Sequence, residues 1–330
     1  MSHRRVRPAP RSRLITWWAT AGAVTALALG LPGTSVAADR PTPPEGGVTA
    51  APAAFVRGTL QPEAAPPGAN NWKCRPTAAH PRPVVLLHAT LTNAHTNWSM
   101  LSPQLKRAGY CVFAPNYGGA PGVPFKGTRH IPDSAREVAR YVDRVLKATG
   151  SRQVDLVGHS QGGGLLPRWY LRFEGGTNPA RPSHNKVRRL IGLAPSNHGT
   201  TLSGLGTLTT ALGLNPTVSA VAGQAFSDQM VGSRVNTTLD RDGDTQRGVA
   251  YTVIATRYDE AVTPYHNQFL TAGPGATVRN ITLQDVCPQD RSEHLSIAYD
   301  SNAAQLVLNA LDPAHAPRVH CRFSAPLLGG

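Results

Sequence analysis

Gly158-His159-Ser160-Gln161-Gly162 sets a serine between two glycines, at the spacing a strand uses to turn directly into a helix. Residues 153–157 form an apolar run before it, and a helical pattern follows to about residue 173. On such a turn the serine hydroxyl projects from the end of a sheet. A side chain at either flanking position would collide with neighbouring backbone, which is why glycine stands there. The following helix aims its N-terminus at the hydroxyl and favours developing negative charge. The bland alternative is a glycine-rich loop with an ordinary serine; the strand before and the helix after argue against it.

Outward from this turn, apolar runs alternate with helical patterns. Toward the N-terminus, residues 84–87 and 111–114 are short continuous apolar runs, and 100–107 is helical in pattern with Gly109 after it. Ser134-Ala135-Arg136-Glu137 has the spacing of a capping box. Ala135, Val138, Ala139, Val142, Val145 and Leu146 then make one helical stripe that Gly150 closes. Toward the C-terminus, strands are expected at 187–193, 249–255 and 277–283, and a closing helix at 301–311. The alternation predicts an α/β fold, a mostly parallel sheet with helices on both faces.

A serine hydroxyl is a weak nucleophile until a base takes its proton. On a strand–turn–helix site of this kind the acid and the histidine follow the serine in the chain. His294 comes after the last strand and before the closing helix, and is the expected base. His266 precedes that strand, whereas His315 and His320 lie in the tail. Strand 249–255 leads into Thr256-Arg257-Tyr258-Asp259-Glu260, so Asp259 is the expected acid, holding His294 in one tautomer and stabilising its cation. Glu260, Asp285 and Asp290 are the alternatives. The oxyanion needs backbone N–H donors. These are expected from Gln161 and from Thr90, in the loop after the first strand, with the Thr90 hydroxyl as a third donor. That loop carries His88-Ala89 where such sites usually carry His-Gly, and alanine takes positive φ less readily.

The chain has 330 residues and a formal charge of +14, which raises nucleic acid as a partner. Part of that charge is Arg4, Arg5, Arg7, Arg11 and Arg13, ahead of an apolar run at 14–31 and the small-residue site Ser35-Val36-Ala37. This is the layout of a secretory signal peptide over residues 1–37, with Arg4-Arg5 leaving a twin-arginine route open. The run is short and glycine-interrupted for a membrane span. Cleavage after Ala37 would remove five arginines and no acid, lowering +14 to +9. The remaining basic residues are scattered, without a nucleic-acid motif. Residues 38–69, rich in Pro, Ala and Gly, are expected to be a flexible lead-in, and 70–330 the folded domain.

Cys74, Cys111, Cys287 and Cys321 form no C-x-x-C pair. In an exported chain they favour disulfides over zinc or redox use. Three pairings are open. The nearest-neighbour choice, Cys74–Cys111 with Cys287–Cys321, would close two loops of about 35 residues, each worth about 3 kcal/mol. Between Arg189 and Asp228 there is no Lys, Arg, Asp or Glu. A cap insertion is expected over about 196–246. Leu202, Leu205, Leu208, Leu212, Leu214, Val218 and Val221 would line an acyl-chain pocket, or else pack as ordinary buried helices. Asp240, Asp242 and Asp244 flank Gly243 at the wrong offset for a calcium loop, which favours a turn. The glycosylation-type triplets at Asn97, Asn236 and Asn280 are short enough to arise by chance.

Several stretches together carry a resemblance: residues 84–90, Ala108-Gly109-Tyr110-Cys111, residues 158–163, Leu193-Ala194-Pro195 with Gly199-Thr200, and Val286-Cys287 ahead of His294. On these the chain resembles the class 2 lipases of actinobacteria, and more distantly fungal lipase B, over roughly residues 74–321. The resemblance implies an α/β-hydrolase fold and a secreted carboxylic-ester hydrolase acting on lipid esters at a lipid–water interface. It implies Ser160, Asp259 and His294 as the triad, Thr90 and Gln161 as the oxyanion hole, and the two nearest-neighbour disulfides. A third, C-terminal disulfide of the fungal enzyme has no cysteines here. The chemistry requires no metal and no organic cofactor, and a monomer is expected. A short-chain esterase, a polyester hydrolase or an exported acyltransferase would use the same triad. A non-catalytic binding protein on this scaffold is the reading from another class; the intact Ser, His and Asp argue against it.

Overall fold

The computed structural model describes residues 50–211 and 223–329. The expected signal segment, 1–37, lies outside them. Six strands form one sheet: β1 (Val84–Leu87), β2 (Val112–Phe113), β3 (Val154–His159), β4 (Val187–Leu193), β5 (Ala250–Ala255) and β6 (Thr277–Thr282). Their order is β2-β1-β3-β4-β5-β6, and every pairing is parallel. The helices among the described residues are α1 (Ala51–Leu60), α2 (Ala94–Trp98), α3 (Leu101–Arg107), α4 (Ile131–Thr149), α5 (Leu165–Phe173), α6 (Leu202–Ala211), α7 (Gln224–Gln229), α8 (Arg234–Asp240), α9 (Leu283–Val286) and α10 (Ser301–Leu311).

β1 reads as an unbroken, fully buried apolar run because it is covered on both faces. Side chains alternate across β1: Val84 and Leu86 join a core with Trp98, Leu105, Leu306 and Val307. Val85 and Leu87 join a second core with Val138, Val142, Leu166 and Tyr170. Thus α2, α3 and α10 cover one face, and α4 and α5 the other. Of the stripe on α4, Ala135, Val138, Val142 and Val145 are buried, and Ala139 and Leu146 are half-buried against the same core. The helix ends at Gly150, whose φ of +72° lets its N–H reach the Leu146 carbonyl.

Two expectations differ from the structure. Ser134 does not cap α4: the helix begins at Ile131, with Pro132 in its first turn. Proline's fixed φ suits that position and starts the helix a turn early. Glu137, the other half of the expected box, instead accepts from the Gly118 N–H at 2.9 Å. The second difference lies within the lead-in. Residues 51–60 are α1, with Ala54 and Gly58 buried. Gly58 permits the close approach, since a Cβ there would lie 1.9 Å from the Thr96 hydroxyl oxygen.

Both disulfides follow the nearest-neighbour pairing, Cys74–Cys111 with Cα atoms 5.8 Å apart and Cys287–Cys321 with 5.0 Å. Of the expected cap, α6, α7 and α8 are described. Leu212, Leu214, Val218 and Val221, and the side chains of Leu202, Leu205 and Leu208, lie outside the described residues. The Asn97 and Asn236 side chains are buried, so neither amide is open to a glycan. Thr90, Ser160, Asp259 and His294 all stand in segments that leave the C-terminal ends of the parallel strands, where sheets of this class place their sites.

Candidate active site

Ser160 leaves β3 directly and begins a 3-10 turn, Ser160–Gly163, ahead of α5. Its φ is +55°, a left-handed conformation that costs a non-glycine residue about 1–3 kcal/mol. The glycines around it show what compensates. A Cβ on Gly158 would sit 1.8 Å from the Gly162 carbonyl oxygen, and one on Gly162 would sit 2.3 Å from that of Leu87. The turn is therefore pressed against β1 and β3 with no room for side chains, and this packing holds the serine in its strained shape.

Ser160 Oγ lies 2.9 Å from His294 Nε2, and His294 Nδ1 lies 2.9 Å from Asp259 Oδ2. All three residues are buried. Asp259 Oδ1 accepts from the N–H groups of Ala261 and Val262 at 2.9 and 2.7 Å, and Oδ2 also accepts from Gln268 Nε2 at 2.8 Å. With Nδ1–H committed to a carboxylate, Nε2 is left facing the serine as an acceptor, the orientation a general base needs. Burial disfavours the charged His294 ring. The charge and hydrogen bond of Asp259, helped by Glu293 and Glu260, outweigh it and hold the ring above its ordinary value of 6.5. Among the alternatives, Asp285 pairs with Arg257, Asp290 accepts from Ser292 and Asn302, and His315 pairs with Asp312.

Thr90 is fully buried beside the turn. Its Oγ1 accepts from Gln161 Nε2 at 2.8 Å and from Gln229 Nε2, on α7, at 2.9 Å. Both lone pairs are thereby occupied, and the O–H remains to donate. The preceding peptide is held on both sides. The Ala89 N–H donates to Asn97 Oδ1 at 2.9 Å, and the Ala89 carbonyl accepts from Thr92 Oγ1 at 3.0 Å. His88 Nδ1 lies 2.8 Å from the same carbonyl, and burial pushes this histidine down to about 4, keeping it neutral. The strain expected at Ala89 does not arise: the positive φ in this loop, +60°, falls on Leu91.

Four polar side chains of the site escaped the sequence reading. Gln268 steadies Asp259, Gln229 orients Thr90, and Asn97 anchors Ala89. His159 links the two loops: Nδ1 is 3.0 Å from Asn97 Oδ1 and Nε2 is 2.8 Å from the His294 carbonyl oxygen. No local pattern marks the two glutamines, because their partners lie on other loops. Asn97 and His159 stood inside quoted motifs but for other reasons.

Next to the site lies a cavity of about 420 Å³, whose walls include Phe55, Val56, Thr92, His159, Leu295 and Leu327. A second polar cluster joins the loop after β4 to the end of α8. His198, Asp240 and Asp244 bring ligand-type atoms within 4.8 Å of one another. Arg168 Nη2 stands 3.0 Å from Asp240 Oδ1 and 3.4 Å from Asp244 Oδ1, so a guanidinium already engages both carboxylates. Burial opposes the charge on His198, but the hydrogen bonds its ring donates to these two carboxylates push it up to about 9. The Asp240–Asp244 segment is thus an ion-paired turn.

Residues 82–226 match the family model described as the α/β-hydrolase fold. Among solved structures, lipase B of Aspergillus fumigatus aligns with a TM-score of 0.58 at 22% identity, covering 79% of this chain and 58% of that one. This chain therefore spans less than two thirds of that protein's length. A lipase of Bacillus licheniformis in its mature form aligns with a TM-score of 0.45 at 18% identity, over 74% and 95% of the two chains. Carboxylesterase CesB of Bacillus subtilis aligns with 0.45 at 17% identity, over 72% and 86%. No curated protein matches. The family match and the Aspergillus alignment agree with the six-stranded parallel sheet: the fold is that of the α/β hydrolases.

Proposed function

We propose that this chain is a secreted serine carboxylic-ester hydrolase that acts on lipid esters through an acyl-enzyme on Ser160. The observation that carries the reading is the pair of 2.9 Å contacts joining Ser160 to His294 and His294 to Asp259, set on a strained turn at the end of a parallel strand. The first step forms a bond from Ser160 Oγ to the ester carbonyl carbon while His294 Nε2 takes the hydroxyl proton. The oxyanion is met by the N–H groups of Thr90 and Gln161 and by the Thr90 hydroxyl. Collapse expels the alkoxide, which leaves as the alcohol with the proton from His294. Water then repeats the sequence on the acyl-enzyme, releasing the acid. Asp259 stays ionised and stabilises the imidazolium in both halves. Lipid esters are favoured by the uncharged stretch between Arg189 and Asp228, and export by the N-terminal layout together with two disulfides.

The test is hydrolysis of a short and a long p-nitrophenyl ester, with Ser160→Ala alongside. The expected result is turnover of both, falling about 10⁴-fold or more in the variant. Turnover of the short ester alone would reduce the reading to a short-chain esterase. No turnover by folded wild-type protein would overturn it. Added alcohol tests the acceptor: alcohol outcompeting water would make the chain an acyltransferase.

A further inference from the structure

The proposed oxyanion donor Thr90 is followed by a strained residue. Leu91 has a φ of +60°, a left-handed conformation that persists only where the surroundings impose it. A second loop imposes it here. The Leu91 N–H donates to the Lys126 carbonyl at 2.8 Å, and the Lys126 N–H donates to the Thr92 carbonyl at 2.9 Å. Gly127 follows so closely that a Cβ on it would lie 3.1 Å from the Ala89 carbonyl oxygen and 3.2 Å from Thr90 Cα. The Gly127 carbonyl accepts from Gln161 Nε2 at 2.9 Å. Residues 126 and 127 thus lie along the backbone that carries Thr90.

The side chain of Lys126 is only 2% exposed, and a lysine is almost never buried to that degree without a counter-charge. Its Nζ donates to the Ala120 carbonyl and, at 2.6 Å, to Glu63 Oε1. Glu63 comes from the stretch expected as a flexible lead-in. It is 54% exposed, yet it also accepts from the Gly122 N–H at 2.9 Å and from Asn116 Nδ2 at 3.2 Å. Asn116 Nδ2 reaches the neighbouring Pro62 carbonyl as well, at 2.7 Å. An ion pair between two exposed groups stabilises little, but here one partner is buried. Without Glu63 the ammonium would lose its carboxylate and turn toward water, pulling on the chain bonded to Leu91 and Thr92. We propose that Glu63 is a positioning residue of the oxyanion hole, acting through the buried ammonium of Lys126 to keep residues 126 and 127 against Thr90. The inference rests on the hydrolase reading above and adds to it a residue from outside the expected domain.

The experiment uses the full chain and reads turnover of the short p-nitrophenyl ester together with inhibition by butylboronic acid. Ser160 Oγ bonds to boron as its proton passes to His294, and the tetrahedral anion that results places an oxygen where the oxyanion would sit. Expected for Glu63→Ala is a fall of about tenfold in kcat and about tenfold in boronate affinity, with KM unchanged. Adding Lys126→Met removes the stranded charge at nearly constant volume and should bring both readouts to within about threefold of wild type. Glu63→Gln keeps the shape without the charge and should lower both about threefold, which keeps the test open if Glu63→Ala does not fold. Wild-type kcat and boronate affinity in the folded Glu63 variants would overturn the inference. So would a fall in kcat without a fall in boronate affinity, or a deficit that Lys126→Met leaves in place. Wild-type protein that neither turns over the ester nor binds the boronate would sink the hydrolase reading instead.

Discussion

The two ends of the Ser160–His294–Asp259 chain are held by different means. At the serine end, shape does the holding. Gly158, Gly162 and Gly163 bring backbone against backbone, and Ser160 is forced to a φ of +55°. At the acid end, hydrogen bonds do it. Two N–H groups, the Gln268 amide and His294 all converge on one carboxylate. A position fixed by packing is insensitive to pH and fails when volume is added. A position fixed by donors tolerates volume better and fails when a donor or a charge is removed.

Adding one carbon should break the serine end. Gly162→Ala places a Cβ 2.3 and 2.4 Å from the Leu87 and His88 carbonyl oxygens. The expected result is loss of soluble protein or a destabilisation of about 3 kcal/mol or more, read by denaturant unfolding. A Gly162→Ala protein with wild-type stability and turnover would mean that packing is not what holds Ser160. Asp259→Asn probes the other end without changing volume. It should leave the fold intact by circular dichroism and lower kcat about 10⁴-fold, because the ring is no longer held in the right tautomer.

Smaller effects sharpen the contrast. Gln268→Ala removes one of the donors on Asp259 and should lower kcat about tenfold with KM little changed; an unchanged kcat would show the other contacts to be sufficient. The acid end also carries the pH dependence. In the proposed mechanism His294 acts as the neutral ring, so activity should be lost as pH falls through its pKa. That pKa is raised, so the acidic limb of kcat/KM should lie above the ordinary 6.5. In Asp259→Asn the residual activity should show the limb moved down, since burial then acts without the opposing carboxylate. A limb at the same pH in both proteins would place the charge effect elsewhere.

Much of the fold and the relay could be read in the chain because their signals are local or ordered. β1 is an unbroken apolar run, β4 closes on Leu190-Ile191-Gly192-Leu193, and Gly158–Gly162 specifies its turn by sterics alone. His294 and Asp259 follow from chain order after the serine. What escaped depends on contacts across the fold. α1 lies in a Pro- and Ala-rich stretch with little amphipathic pattern, and its place rests on Gly58 meeting Thr96 and on the Asn93 amide donating to the Gly58 carbonyl at 3.1 Å. Gln229 and Gln268 reach partners 139 and 9 residues away, and neither separation follows a helix or strand period. The carboxylates that favour the charged form of His198 lie 42 and 46 positions on, a separation no spacing rule connects. The capping box at Ser134 was a true spacing in the wrong turn, displaced by Pro132.

The strand order has one further consequence. β1 passes the chain through α2 and α3 to β2, toward one edge of the sheet. β3, its neighbour, passes it through α5 to β4, toward the other edge. Adjacent loops that depart in opposite directions leave a crevice between them, a topological switch point. Thr90 stands on one lip and Ser160 on the other. The space for a reacting carbonyl is therefore a property of how the strands are wired, whichever side chains line it. Loops elsewhere around the rim are free to diverge in length and chemistry without closing that gap.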